Sequence, residues 1–308
     1  MPVRSWRSPS AVTVGTFDGV HRGHGLVVRR MVGAARTQGL RSVIVTFEPH
    51  PLAVLNSAAA PQLLTVGDEK VEALGALGAD EVSVVPFTKE LASFEAEQFV
   101  DVVLLARYAM RELFIGHDHG FGRGRSGDAA TLARLGAARG FGVHIVPPVE
   151  GRDARPISST SIRRAIAGGS LSHATDGLGR LYSVAGVVVH GDARGASLGF
   201  RTMNVDIPPP PKLLPPDGVY AVRATTPDGA FGGMLNVGGR PTFGDAGRRL
   251  EAHLFDASGD WYGSRVRLDF VTRLRDVRAF DGAAALVEQL RVDEAAARSV
   301  LDRQRAGL

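Results

Sequence analysis

Residues 11–24 read Ala11-Val12-Thr13-Val14-Gly15-Thr16-Phe17-Asp18-Gly19-Val20-His21-Arg22-Gly23-His24, and this stretch decides the fold of the first half of the chain. An unbroken apolar run leads into a turn with three glycines and then into a helix-period segment over 24–38. Such a run, without polar alternation, marks a strand covered on both faces, as in a parallel sheet layered by helices. Glycines let backbone N–H groups approach an anion, and a helix N-terminus favours negative charge. Imidazoles three residues apart can donate to phosphate oxygens whose charge grows in a transition state. The stretch therefore predicts a phosphate-handling loop that carries His21 and His24. The other readings of His-x-x-His are two incidental surface histidines or a zinc site. Zinc needs a third ligand, for which His50, His117 and His119 are available, but it gives no reason for the glycine-rich entry.

The same alternation continues outward. Apolar runs at 42–47, 82–86, 113–115 and 143–146 are each followed by a helix-period segment, at 66–77, 94–106, 128–139 and 159–167. This predicts a doubly wound, Rossmann-like α/β domain with ligands at the carboxyl ends of its strands. After Gly169 the character changes to short β-type runs at 182–190, 219–225, 232–237, 250–255 and 266–270, separated by Gly, Pro and Asp. The prolines at 208–211 and 215–216 mark connections rather than strand interiors. Only 282–305 is helix-patterned again, with Ala285, Leu286, Gln289 and Leu290 on one face. A small closed β-barrel with a terminal helix is expected, giving domains 1–172 and 173–308 with the border between Gly169 and Tyr182.

Bulk properties agree with this plan. A chain of 308 residues suits two domains, and 44% hydrophobic residues supply apolar surface for two cores. No run of about 18 apolar residues occurs, and the first ten residues lack the apolar segment of a secretory signal, so a soluble cytoplasmic protein with no membrane partner is expected. With no cysteine, any metal must be held by oxygen or imidazole. The sequence pI is about 9.8, yet the formal net charge is only +4 and the basic residues are scattered, which argues against a nucleic-acid partner. Oligomeric state is not legible.

The loop of residues 15–24 resembles the His-x-Gly-His loop of the nucleotidyltransferase superfamily, and in particular that of prokaryotic bifunctional riboflavin kinase/FMN adenylyltransferases (FAD synthetases). Further motifs follow in the same order. Val45-Thr46-Phe47-Glu48-Pro49-His50-Pro51 is similar to the family's second-strand motif, and Ile157-Ser158-Ser159-Thr160-Ser161-Ile162-Arg163 is similar to its Ser-Ser-Thr-x-x-Arg motif. Read alone, Ser158, Ser159 and Thr160 cap a helix and leave N–H donors for an anion beside Arg163, or they form a plain N-cap with a solvated arginine. Gly116-His117-Asp118-His119-Gly120-Phe121-Gly122 stands where the family has Gly-x-Asp/Asn-Phe-x-Phe-Gly, with His119 in place of an aromatic. The resemblance implies His21, His24 and Arg163 as catalytic residues. It implies Gly15, Phe17, Gly19, Gly23, Ser158, Ser159 and Thr160 as nucleotide contacts, and His50, Asp118 and Phe121 as flavin contacts.

In the second half, residues 178–192 resemble the opening of the family's riboflavin kinase module, with Leu181 where proline is usual. Gly195-Ala196-Ser197-Leu198-Gly199-Phe200-Arg201-Thr202-Met203-Asn204 is similar to its Gly-Arg-x-Leu-Gly-Phe-Pro-Thr-Ala-Asn signature for ATP and magnesium. Thr202 and Asn204, one residue apart on an extended segment, point the same way and suit Mg²⁺, although Thr-x-Asn is also a common loop pairing. Arg201 and Met203 replace the usual proline and alanine, and the bulk of Met203 is expected beside the metal. Residues 236–244 and 250–256 match the module, with Glu251 as the implied base for a riboflavin hydroxyl. A surface glutamate on a half-exposed strand is the alternative there. Gly191, Gly195, Leu198 and Gly199 are implied as nucleotide contacts and Arg275 as a flavin contact. The expected reaction is phosphorylation of riboflavin to FMN and adenylylation of FMN to FAD, with ATP as donor and Mg²⁺ in both steps. The departures leave open a divergent paralogue with an impaired kinase step or altered flavin or nucleotide choice, and a non-catalytic flavin-binding regulator. The retained Thr202, Asn204 and Glu251 speak against the last.

Overall fold

The computed structural model describes residues 8–118, 120–191, 199–207, 211–239 and 248–305. The chain divides into two compact units, Met1–Ser159 and Thr160–Leu308. Among the described residues no helix is long and apolar enough to cross a membrane.

The first unit is the expected Rossmann-like α/β layer structure. In chain order it contains β1 (Ser10–Val14), α1 (Arg22–Gln38), β2 (Arg41–Glu48), α2 (Pro51–Leu55), α3 (Asp68–Gly75), β3 (Glu81–Pro86) and α4 (Lys89–Ser93). It continues through α5 (Ala96–Phe99), a π-helical stretch Val100–Leu105, α6 (Ala106–Tyr108), β4 (Met110–Gly116), α7 (Ala129–Arg139) and β5 (Gly142–Val146). The segment read as one helix over 94–106 is thus a composite. Among the described residues the strands form one parallel sheet in the order β3-β2-β1-β4-β5. Every residue of β1 is buried, so alternate side chains feed two cores. Ala11 packs with Val28, Met31 and Ile44 under α1, and Val12 and Val14 pack with Phe99, Val103 and Leu132 on the other face. The order reverses beside β1, so the crevice at the end of this strand is where the fold offers a ligand site. The loop after β1 occupies it.

Helix α8 (Ser159–Ala167) is followed by α9 (Leu171–Leu178), a helix the sequence reading does not foresee in its border region. Its Leu171, Ala174 and Leu178 are buried, and it packs on β6 (Tyr182–Val189) and on β11 (Arg265–Arg275). The remaining strands are β7 (Met203–Asp206), β8 (Gly218–Thr226), β9 (Gly229–Gly239) and β10 (Arg248–Leu254). These strands close into a barrel, β10-β7-β6-β11-β8-β9, with antiparallel pairing throughout. Leu250, Ala252 and Leu254 alternate into the buried wall while Glu251 and His253 face the other way. The terminal helix α10 (Ala283–Arg305) covers one side, where Ala297 and Leu301 pack on Val219, Ala221, Met234 and Phe255.

Candidate active sites

The first site is the loop from β1 to α1. His21 is the N-cap of α1, and its Nδ1 accepts the His24 N–H at 3.4 Å. The two imidazoles stack with centroids 3.6 Å apart, and the edge of Phe17 meets His24 at 5.1 Å. A Cβ at Gly23 would lie 3.0 Å from His21 Cε1, a tight contact that the glycine avoids. The loop backbone is unusual: Phe17 has φ 49° and Val20 φ 42°, a region that costs a non-glycine residue about 1–3 kcal/mol and persists only where its surroundings impose it.

Those surroundings centre on Asp18, which is 3% exposed. Its carboxylate accepts the N–H groups of Leu64 at 2.9 Å and Thr65 at 3.0 Å, and Thr65 Oγ1 accepts the Gly19 N–H at 3.0 Å. The Asp18 carbonyl accepts the Ser159 hydroxyl at 2.8 Å, which brings the first and third motifs together. A buried lysine secures the end of β2, because Lys70 Nζ donates to Phe47 O at 2.7 Å and to Glu48 Oε2 at 3.0 Å. Neither Asp18, Thr65 nor Lys70 is among the residues expected to form the site. Asp18 lay inside the quoted motif, but nothing in sequence spacing points to Leu64 and Thr65 as its partners.

Of the other expected residues of this unit, His50 and Asp118 follow the carboxyl ends of β2 and β4, strands that run parallel to β1. His50 is the N-cap of α2 through Nδ1 and the Leu52 N–H. The Asp118 side chain is 81% exposed just beyond β4, and Phe121 is buried against Phe99 at 4.9 Å between centroids. His119 lies outside the described residues, as do Gly195 and Leu198. At the unit border Ser159 and Thr160 begin α8, Ser158 immediately precedes it, and Arg163 is one turn along it.

The second site lies on the barrel wall beside α10. Across the β10–β7 pair Glu251 is directly opposite Asn204, and across the β10–β9 pair it is opposite Asn236. These three polar side chains therefore share one face of the barrel. Asn204 Oδ1 is buried and has no hydrogen-bond partner among the described residues. A Cβ at Gly191 would collide with the Asn204 carboxamide, so glycine leaves room for it. A cavity of about 340 Å³ is lined by Thr202, Asn236, Glu251, His253 and Arg275, together with apolar Phe200, Val219, Phe280 and Leu290. Thr202 also lines a second cavity of about 70 Å³ beside Arg201, Trp261 and Tyr262.

The Met203 side chain is buried on the face opposite Asn204, beside Ala252 in register, and it lines the smaller cavity together with Thr202 and Arg201. Arg201 is exposed, and its carbonyl accepts from His253 Nδ1 at 2.7 Å. Arg275, at the end of β11, is held by Asp293 of α10, a residue outside the expected set.

Two family models match this chain: FAD synthetase over residues 4–161 and riboflavin kinase over 178–301. The bifunctional riboflavin kinase/FMN adenylyltransferase of Pseudomonas fluorescens is 36% identical over 94% of this chain and 92% of its own length. Those of Escherichia coli K12 and Bacillus subtilis 168 are 34% and 32% identical, covering 93% and 95% of this chain and 91% and 92% of their own. A crystal structure from Streptococcus pneumoniae described as a macrolide-efflux protein superposes with a TM-score of 0.84 at 33% identity, covering 95% of both chains.

Proposed function

The chain belongs to the bifunctional riboflavin kinase/FMN adenylyltransferase family, and from that premise we propose how its residues divide the chemistry. It is a transferase that phosphorylates riboflavin to FMN and adenylylates FMN to FAD, with ATP as donor in both reactions.

Adenylylation belongs to residues 1–172. His21 and His24 sit at the start of α1, where backbone N–H groups and the helix dipole favour an anion, and their imidazoles stabilise charge growing on the α-phosphate as FMN displaces pyrophosphate. Gly15, Phe17, Gly19 and Gly23 shape the loop around the nucleotide. The start of α8 offers a further group of N–H donors at Ser158, Ser159 and Thr160, with the Arg163 charge one turn on. His50, Asp118 and Phe121 are assigned to the flavin side.

Phosphorylation belongs to residues 173–308. Glu251 takes the proton of the riboflavin hydroxyl as that oxygen attacks the γ-phosphorus of ATP and ADP leaves. Thr202 and Asn204 form an all-oxygen donor pair suited to Mg²⁺, and the buried Asn204 Oδ1, without a hydrogen-bond partner among the described residues, fits a cation better than it fits an apolar contact. When bound, Mg²⁺ neutralises negative charge on the nucleotide phosphates. The apolar side of the larger cavity, with Phe200, Phe280 and Leu290, receives the flavin ring next to Arg275. Gly191 and Gly199 are assigned to the nucleotide, as are Gly195 and Leu198 outside the described residues.

The observation that carries this reading is Glu251 facing Asn204 across β10–β7, with an oxygen of Asn204 left for a cation. The test is incubation of the purified chain with riboflavin, ATP and Mg²⁺, followed by chromatography of the flavins. FMN and then FAD should accumulate. FAD from FMN with no FMN from riboflavin would refute the kinase assignment alone.

A further inference from the structure

Asp293 is 3% exposed on α10, and its carboxylate is fully engaged. Arg275 donates from Nε to both oxygens at 2.9 and 3.0 Å and from a terminal nitrogen to Oδ2 at 2.7 Å, while Gln289 Nε2 donates to Oδ1 at 2.7 Å. The other terminal nitrogen of Arg275 donates to Asp276 O at 2.9 Å. The guanidinium also lies 5.7 Å from the centroid of Phe280, which lines the same cavity as Arg275 and Glu251.

A buried ion pair is weak as a source of stability, since removing two charges from water offsets most of their attraction. Its effect here is geometric and electrostatic. The fork of Arg275 is fixed by a bidentate contact, and its charge is neutralised from the α10 side before any ligand enters. A flavin whose hydroxyl is to be phosphorylated is neutral, and the product carries a phosphate. Arg278 of the same wall donates to Gln289 and pairs with no carboxylate among the described residues, so the wall already carries one cation, and a second left uncompensated at Arg275 would add to its preference for the phosphorylated product over the neutral substrate.

We propose that Asp293 is a positioning residue of the kinase step: it holds Arg275 as a charge-compensated part of the cavity wall, so that the cavity takes the neutral flavin and releases the phosphorylated one. This rests on the reading that the cavity of about 340 Å³ is the flavin site.

The test is Asp293→Asn, assayed by initial rates of riboflavin phosphorylation with and without added FMN. The KM for riboflavin should rise and the inhibition constant for FMN should fall, so that their ratio increases by about tenfold, and added salt should diminish the change. Asp293→Glu, which keeps the charge, should return the ratio toward that of the parent. A ratio unchanged in Asp293→Asn, or a parallel change in both constants with a lowered melting temperature, overturns the proposal, because a purely structural role does not discriminate neutral from anionic flavin. If Asp293→Asn does not fold, Arg275→Lys addresses the same point without altering α10: lysine loses the fork but keeps a charge that Asp293 still compensates, so the ratio should stay near that of the parent. A rise of about tenfold there overturns the proposal, because the ratio would then follow the fork and not the compensated charge. Arg275→Ala separates this idea from its premise. If its KM for riboflavin equals that of the parent, the cavity is not the flavin site; if its KM rises while Asp293→Asn is silent, only the role of Asp293 fails.

Discussion

Ser159 donates its hydroxyl hydrogen to the backbone carbonyl of Asp18 at 2.8 Å, joining two motifs that lie 141 positions apart. The Asp18 carboxylate is simultaneously engaged by Leu64 and Thr65, so one residue between two left-handed backbone positions ties the histidine loop to two other segments. Replacing Asp18 by alanine strands two buried N–H groups, at a cost of about 1–3 kcal/mol each. Heat inactivation of adenylylation in Asp18→Ala should therefore move down by several degrees, with Ser159→Ala showing a smaller shift. The inactivation temperature of the kinase reaction in the same sample should stay where it is. Equal shifts in both reactions would contradict this assignment.

His24→Ala should remove FAD formation, by about a hundredfold or more, while FMN formation from riboflavin continues at the parental rate. On the proposed assignment, imidazole donation is withdrawn from only one of two separately built sites. Product analysis over a time course reads both reactions together.

Glu251→Gln keeps the size of the side chain but removes the proposed proton acceptor, and should lower kcat for riboflavin phosphorylation by about 10²–10⁴. Asn204→Ala removes the buried Oδ1, and its loss should show as a raised requirement for Mg²⁺. FAD formation from supplied FMN should be unaffected by either. Titration of rate against Mg²⁺ distinguishes the two variants, since only the second should shift along the concentration axis.

Met203→Ala is expected to weaken the barrel by about 2–5 kcal/mol by opening a void in its wall. It should not accelerate phosphorylation, because Met203 faces away from Asn204. A faster enzyme of parental stability would show that the side chain reaches the reacting groups.

Burial pushes the Asp269 carboxyl above the ordinary aspartate range even though Arg267 pairs with it at 2.7 Å. The folded state therefore holds this proton more tightly than the unfolded chain does. The stabilisation conferred by protonation is complete below the unfolded value of 3.8 and is lost as pH rises through the higher folded value. Asp269→Asn, permanently neutral, should gain stability relative to the parent as pH climbs through that window and keep the gain at pH 7. Urea denaturation of both proteins across about pH 4 to 8, followed by circular dichroism, gives the difference directly. A gain that shrinks toward neutral pH would reverse the assignment.

Much of the architecture was set by local pattern. The unbroken apolar run at β1, the glycines after it and the helix period beyond are properties of neighbouring residues, and they suffice to predict a strand, a tight turn and a helix start with two histidines on it. The same holds for the short strands of the second half and for its terminal helix. Even the outward turn of Asn204 and the inward turn of Met203 follow from the alternation of a strand. Helix α9 was signalled only weakly, by Ser170 before it and Gly179 in the left-handed region after it. What the tertiary structure alone decided is partnership. That Asp18 meets Leu64, Thr65 and Ser159, that Glu251 stands opposite Asn204, and that Asp293 grips Arg275 all depend on strand register and on which faces the cores bury. Register and burial are settled by the packing of the whole unit, so no window of neighbouring residues contains them.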